Sequence, residues 1–166
     1  MAYLDDLLIT GNNEHCIASI KKELKKGFEL TDLGHLHYYL GIEVIQHPRY
    51  ISLSKMYIGE LLNKFSMTEC DPLSTTMEQN LKLTSKEGNK FEDATNYRQL
   101  VGRLIYLTTT RLDISFVVGI LSWFMQKPCE GHWFVAKRVL KYLKGSQEFG
   151  LKYTQVDDFS LIRYFD

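Results

Sequence analysis

Leu36-His37-Tyr38-Tyr39-Leu40-Gly41-Ile42-Glu43-Val44-Ile45-Gln46-His47-Pro48-Arg49-Tyr50-Ile51-Ser52-Leu53 is the stretch on which the fold turns. Tyr, Ile and Val crowd residues 36 to 46, and such side chains suit a pleated, half-buried surface. His47-Pro48-Arg49 breaks the run and Tyr50 to Leu53 resumes it, which predicts an antiparallel hairpin. Tyr38 and Tyr39 alternate, so one is expected buried and the other exposed. His35 and His37 share the same period of two. A metal pair there would need a third ligand, and none is near in sequence, so surface histidines are the expectation.

Helical patterns flank this hairpin. Upstream, Tyr3 to Thr10 reads as a strand ended by Gly11-Asn12-Asn13, whose asparagines suit a helix cap. Ile17, Ile20, Leu24 and Phe28 then repeat at helical spacing, predicting an amphipathic helix over 14–27 with Lys21, Lys22, Lys25 and Lys26 on its outer face. Downstream, Ser54 is placed to cap a helix whose buried face is Ile58, Leu61, Leu62 and Phe65. Residues 68–93 lose periodicity and read as an extended connection, the one internal boundary. Beyond it, Tyr97, Leu100, Val101, Leu104 and Ile105 mark one helix. Asp113 is placed to cap a second, with Ile114, Val117, Val118, Leu121 and Met125 inward. Glu130 to Leu143 make a third, closed by Lys144-Gly145 with Gly145 in the left-handed position. Phe149–Thr154 and Ser160–Tyr164 read as short strands around Asp157-Asp158.

Bulk composition narrows the function classes. The 166 residues allow one ordinary domain or parts of two, and 45% hydrophobic content suffices for a packed core. Twenty Lys+Arg balance twenty Asp+Glu, so global charge predicts no partner and local clusters must carry any nucleic-acid argument. The three cysteines stand far apart, which predicts reduced thiols and an intracellular, cytoplasmic or nuclear setting. No signal-peptide pattern precedes them, and the longest apolar stretch, Ile114 to Met125, is too short to span a bilayer.

The most chemically loaded tetrapeptide is Tyr3-Leu4-Asp5-Asp6. Two adjacent carboxylates on a tight turn offer hard oxygen ligands of the kind Mg²⁺ chemistry on phosphates requires. On the C-terminal helical half, Lys137, Arg138, Lys141 and Lys144 set cations along one helix side. They could track a phosphate backbone, though the polar face of an ordinary amphipathic helix has the same appearance. Trp123, Phe124 and Trp133 could stack on bases, but at helical spacing such residues more commonly build cores or interfaces.

Six blocks in order, beginning with Tyr3-Leu4-Asp5-Asp6-Leu7-Leu8-Ile9-Thr10-Gly11, carry a resemblance to a known family. The others are Phe28-Glu29-Leu30-Thr31-Asp32-Leu33-Gly34, Tyr39-Leu40-Gly41-Ile42-Glu43, Tyr97-Arg98-Gln99-Leu100-Val101-Gly102, Tyr106-Leu107-Thr108-Thr109-Thr110-Arg111 and Ala136 to Gly145. In this the chain resembles the reverse transcriptase of copia-type retrotransposon polyproteins, an RNA-directed DNA polymerase, over nearly its whole length. The resemblance implies an α+β fold: a truncated antiparallel palm sheet with a flanking helix, a helical thumb and connection, and short edge strands. It implies a partial palm with a first thumb-like helix at 1–67, the extended connection at 68–93, thumb and connection at 94–154, and the first strand of an RNase H domain at 155–166, opening toward Asp166. Asp5 and Asp6 would be catalytic, metal-binding carboxylates for Mg²⁺. Tyr3, Tyr39, Leu40, Gly41, Lys137, Arg138, Lys141 and Lys144 would meet an RNA/DNA primer–template, and Tyr39-Leu40-Gly41 would be the primer-grip turn.

The family takes a further metal-binding Asp and its fingers from sequence upstream of the tetrapeptide. These residues alone are therefore expected to be inactive, with weak Mg²⁺ and nucleic-acid binding that falls steeply with salt. The alternative is a retained, non-enzymatic module that binds protein or nucleic acid. Surfaces that missing domains would cover are expected to be apolar and to favour self-association. A secreted-effector reading has no support: Arg138-Val139-Leu140-Lys141 only approaches an Arg-x-Leu-Arg tag. The chain departs from the family at Leu112, where a proline is usual, at Thr76, and at Arg163 and Phe165.

Overall fold

The computed structural model describes residues 7–54, 58–78, 81, 83 and 89–154. Two compact units divide the chain, Met1–Leu36 and His37–Asp166. The fold is mixed α+β, as expected.

In the first unit, helix α1 (Glu14–Gly27) begins where Asn13 Oδ1 accepts from the Cys16 amide at 3.1 Å. This satisfies one of the amides a helix start leaves orphaned. Lys21 Nζ reaches both Asp32 oxygens at 3.0 Å, and Asp32 Oδ1 also accepts from the Gly34 amide at 3.0 Å. Those bonds hold the Asp32 carboxyl below its usual range, the Lys21 bond contributing most. No α1 residue is buried, and Ile20 and Phe28 are exposed. Leu7–Thr10 form no strand among the described residues, contrary to expectation. A strand exists only through ladder partners, and none of the described residues pairs with them. Tyr3 to Asp6 lie outside the described residues.

In the second unit, β1 (Tyr38–Tyr39), β2 (Ile42–His47), β3 (Tyr50–Ser54) and β4 (Leu151–Thr154) form one antiparallel sheet in that order. The hairpin read from the sequence is present, with His47 opposite Tyr50 across Pro48-Arg49. The single strand expected over 36–46 is split. Leu40 (φ 49°) and Gly41 (φ 72°) make a two-residue turn and Tyr39 pairs with Ile42. Positive φ at both turn positions marks a type I′ turn, whose twist matches that of the flanking strands. Tyr38 is exposed and Tyr39 half-buried, as the alternation predicts. His35 and His37 lie outside any strand. Ser54 ends β3, and its hydroxyl donates to Glu43 Oε2 at 3.2 Å; the residues it is expected to cap, 55–57, lie outside the described residues.

Four helices share one core: α2 (Ile58–Lys64), α3 (Ala94–Leu107), α4 (Ser115–Ser122) and α5 (Glu130–Gly145). Leu61, Leu100, Leu104, Leu121, Leu140 and Leu143 are fully buried there, and removing each of them from water contributes about 2 kcal/mol. α2 ends in a Schellman arrangement. The Met67 amide donates to the Leu62 carbonyl (2.8 Å) and the Ser66 amide to that of Asn63 (3.1 Å), with Ser66 at φ 54°. On α3, Ile105 faces outward instead of inward, and Leu107 takes the buried position.

Asp113 is not the cap expected for α4. It sits inside a 3₁₀ turn, Leu112–Ile114, that leads into α4, and its carboxylate is held by Arg111. The expected left-handed Gly145 is instead the last residue of α5, without positive φ. Its missing Cβ serves packing, since one there would lie 3.1 Å from Pro72 Cβ.

Residues 68–78 are irregular, as read, but lie along α5. The Leu73 amide donates to the Lys141 carbonyl (3.2 Å), and Cys70 and Met77 pack on the core. The strand expected at Ser160–Tyr164, the Asp157-Asp158 turn and Asp166 lie outside the described residues.

Candidate nucleic-acid interface

The Tyr39-Leu40-Gly41 turn is pinned by α3. Tyr106 Oη donates to the Leu40 carbonyl, and a Cβ on Gly41 would stand 3.2 Å from the Tyr106 hydroxyl oxygen. Glycine therefore satisfies both a positive φ and a close approach at this position. The Leu40 side chain itself is exposed.

Tyr106 also lines an open groove with Lys64 of α2 and Arg98, Gln99, Gly102 and Arg103 of α3. Three cations and no carboxylate line it, in a chain with no net charge. Arg98 is braced within the helical body, Nη2 donating to Thr95 Oγ1 at 3.3 Å and Nη1 to the Met125 carbonyl at 3.5 Å. Guanidinium groups held this way can fork onto phosphate oxygens. Sequence reasoning missed Lys64, Arg98 and Arg103. The signal was present, since residues 98, 102 and 106 recur at i, i+4 and i+8 on α3's outer side, with 99 and 103 alongside. Lys64 could join them only through the packing of α2.

The four α5 cations are divided. Arg138 is mostly buried, donating to Glu78 Oε1 and Thr75 Oγ1, both at 3.0 Å. Lys144 Nζ donates to the Thr68 carbonyl at 2.5 Å. Both fasten the 68–78 segment to α5. Lys137 Nζ sits 5.4 Å from the Trp133 ring centre, a cation–π contact. Lys141 is partly exposed. None of the four lines the groove beside the turn, apart from which a second, aromatic groove holds Lys137 with Phe91, Trp133 and Phe134.

Of the aromatic residues considered for stacking, Trp133 is occupied by Phe91 (4.9 Å, stacked) and Phe65 (6.2 Å, edge-on), and Phe124 lies 3.8 Å from the His132 ring. Trp123 alone of the three is exposed. Tyr3, Asp5 and Asp6 lie outside the described residues. Among the described residues no three His, Cys, Asp or Glu side chains gather to hold a metal ion. No helix among them is long and apolar enough to cross a membrane.

Comparisons with known proteins agree with the blocks quoted above. The family described as reverse transcriptase (RNA-dependent DNA polymerase) matches residues 1–79. The Retrovirus-related Pol polyprotein from transposon RE2 of Arabidopsis thaliana is 38% identical over 100% of this chain, which spans 12% of that protein. That from transposon RE1 of the same plant is 40% identical over 100% of the chain, spanning 11% of it. The Uncharacterized mitochondrial protein AtMg00810, also from Arabidopsis thaliana, is 39% identical over 91% of the chain and is itself 63% covered. No solved structure matches. With the tetrapeptide and its following blocks in register, these matches support a fragment of a copia-type retrotransposon reverse transcriptase.

Proposed function

We propose that these residues form the primer-handling part of an RNA-directed DNA polymerase: the end of the palm, the grip turn, and the thumb and connection. In this reading Tyr39-Leu40-Gly41 meets the primer strand. Lys64, Arg98 and Arg103 hold phosphates next to it, and Lys137 and Lys141 offer further cationic contacts along α5. Arg138 and Lys144 then act by positioning, since their side chains brace the connection. The observation that carries the reading is the Tyr106–Leu40 bond, which seats the family's turn against a groove lined only by cationic and neutral side chains.

Asp5 and Asp6 would hold Mg²⁺ together with ligands from elsewhere in a longer polymerase, and the metal would supply charge neutralisation at the transferring phosphate. The 166 residues by themselves are proposed to bind a duplex weakly and not to extend it. Nucleic-acid contact and an intracellular setting both follow from this reading.

Fluorescence anisotropy of a labelled RNA/DNA primer–template tests the binding half. The expected result is affinity falling steeply between about 50 and 200 mM salt, with Lys64→Glu/Arg103→Glu weakening it at least tenfold and lowering the salt slope by about two. No binding at low salt overturns the reading. Primer extension with Mg²⁺ tests the catalytic half. Extension by these residues alone, lost on Asp5→Asn/Asp6→Asn, overturns the proposal that they do not polymerise unaided.

A further inference from the structure

Helix α4 and the 3₁₀ turn before it are apolar on two opposite sides. Ile114, Val117, Val118 and Leu121 face the core and are buried. On the other side Leu112, Phe116 and Trp123 are 63, 76 and 79% exposed. A helix hydrophobic all round is ordinarily covered on all sides. No charged residue occurs from Ile114 to Gln126.

We propose that a second copy of this chain covers this face, through antiparallel pairing of α4 with α4 about a two-fold axis. This pairing needs only α4 and the turn before it, and is independent of any polymerase role.

Three features favour a copy of the same chain over another occupant. The first is self-complementarity. Phe116 and Trp123 lie two turns apart, equidistant from the midpoint between Gly119 and Ile120. An antiparallel two-fold there sets Phe116 of each copy against Trp123 of the other, twice over, which is the isologous arrangement of a closed dimer. Gly119 lies at the axis with nothing within 4 Å of where a Cβ would be, so the two helices can approach closely.

The second is charge. A neutral face pairing with itself brings no like charges together.

The third is area. Phe and Trp side chains each carry roughly 150–250 Å². With Leu112 and the half-buried Ile120, the face offers roughly 450 Å² per copy. A dimer would bury roughly 900 Å² in all, close to the lower limit of about 1,000 Å² for a specific interface. An interface of that size is a weak, transient one.

Analytical ultracentrifugation of the 166-residue chain from about 1 to 200 μM reads this directly. The expected result is a rise from monomer to dimer mass without higher species. Phe116→Glu and Trp123→Glu should each weaken it at least tenfold, while Phe134→Glu, on an exposed α5 residue, leaves it unchanged. Both α4 changes sit on exposed side chains, and far-UV circular dichroism checks that each variant is folded. In a Cys16→Ser background, Gly119→Cys should give a disulfide-linked dimer on mild oxidation. A chain that stays monomeric throughout leaves the face to another partner and overturns the proposal. So does association that survives both α4 substitutions or is lost equally with Phe134→Glu.

Discussion

Arg111, only 2% exposed, places Nη2 2.6 Å from Asp113 Oδ2 and Nε 3.0 Å from Oδ1. The rest of the guanidinium is equally committed. Nη1 donates to the Ser146 carbonyl (2.8 Å) and Nη2 to Ser146 Oγ (2.7 Å), and the Tyr142 and Phe149 rings flank it at 5.6 and 5.5 Å. Tyr142 Oη donates to Asp113 Oδ2 at 2.7 Å. One buried cation thus ties the start of α4 to the end of α5, just before the chain enters β4.

The two partners of that pair should respond unequally to removal. Asp113→Ala strips the counter-charge from a buried guanidinium and is expected to cost about 3 kcal/mol. Arg111→Met leaves a carboxylate that can reach water and should cost about half as much. Urea unfolding of both single variants and the double variant measures the coupling. Equal costs for the two single changes would refute the account.

Acid should weaken the fold through the same carboxylate. Burial works to raise the Asp113 carboxyl, but the Arg111 and Tyr142 hydrogen bonds and the guanidinium charge outweigh it and hold it below its usual range. The folded state therefore binds this proton less readily than the unfolded chain. The stabilisation is complete above the unfolded value near pH 4 and is lost as pH falls through the lower folded value. Stability of the wild type should drop more steeply between about pH 5 and 2 than that of Asp113→Asn, measured by urea midpoints across that range.

Gly150 is a packing glycine at the start of β4. A Cβ there would lie 2.5 Å from the Leu53 carbonyl oxygen, a backbone atom that cannot step aside without disturbing the β3–β4 ladder. Gly150→Ala should cost about 1–3 kcal/mol in thermal unfolding. Gly59→Ala, with nothing within 4 Å, serves as the comparison and should be neutral or stabilising.

Ser66 holds a left-handed conformation that suits glycine better. Ser66→Gly keeps the Schellman bonds of α2 and should raise stability by about 0.5–1 kcal/mol, read as a higher urea midpoint at unchanged slope. A lower midpoint would mean that the serine side chain holds the turn.

Two tyrosine hydroxyls offer a contrast of burial. Tyr97, fully buried, donates to the Leu121 carbonyl at 2.8 Å, and burial together with Cys129 raises its phenol. Tyr97→Phe removes a buried hydrogen bond but leaves the Leu121 carbonyl its bond from the Phe124 amide, and should cost about 0.5–1.5 kcal/mol. The bond of Tyr106 to Leu40 is exposed. Tyr106→Phe should leave global stability within about 0.5 kcal/mol while speeding hydrogen exchange at the 39–42 turn.

Much of this architecture is legible in the chain because helical periodicity is local. A residue's angular position on a helix depends only on its neighbours in sequence, so Ile58, Leu61 and Leu62, or Val135, Val139 and Leu143, declare their buried side before any packing is known. The six blocks likewise declared the family, since they are strings of residues in order. The carboxylates Asp5 and Asp6 belong to that reading, and the described structure neither adds to nor subtracts from it.

Tertiary structure decided what any single stretch leaves open. Whether Leu40-Gly41 continues a strand or reverses it depended on β1 pairing with β2 and on Tyr106 reaching across from α3. Asp113 looks like a cap, yet its carboxylate is taken by its neighbour Arg111 and by Tyr142, which reaches it from α5. Arg138 and Lys144 looked like surface cations and became the fasteners of the 68–78 segment, and Lys64 joined Arg98 and Arg103 only when the shared helical core brought the end of α2 to the groove on α3. A hydrogen bond or a charged groove is made between residues distant along the chain. Periodicity and composition carry no term for that distance, so helices and family could be read from order alone, and the use of each polar side chain could not.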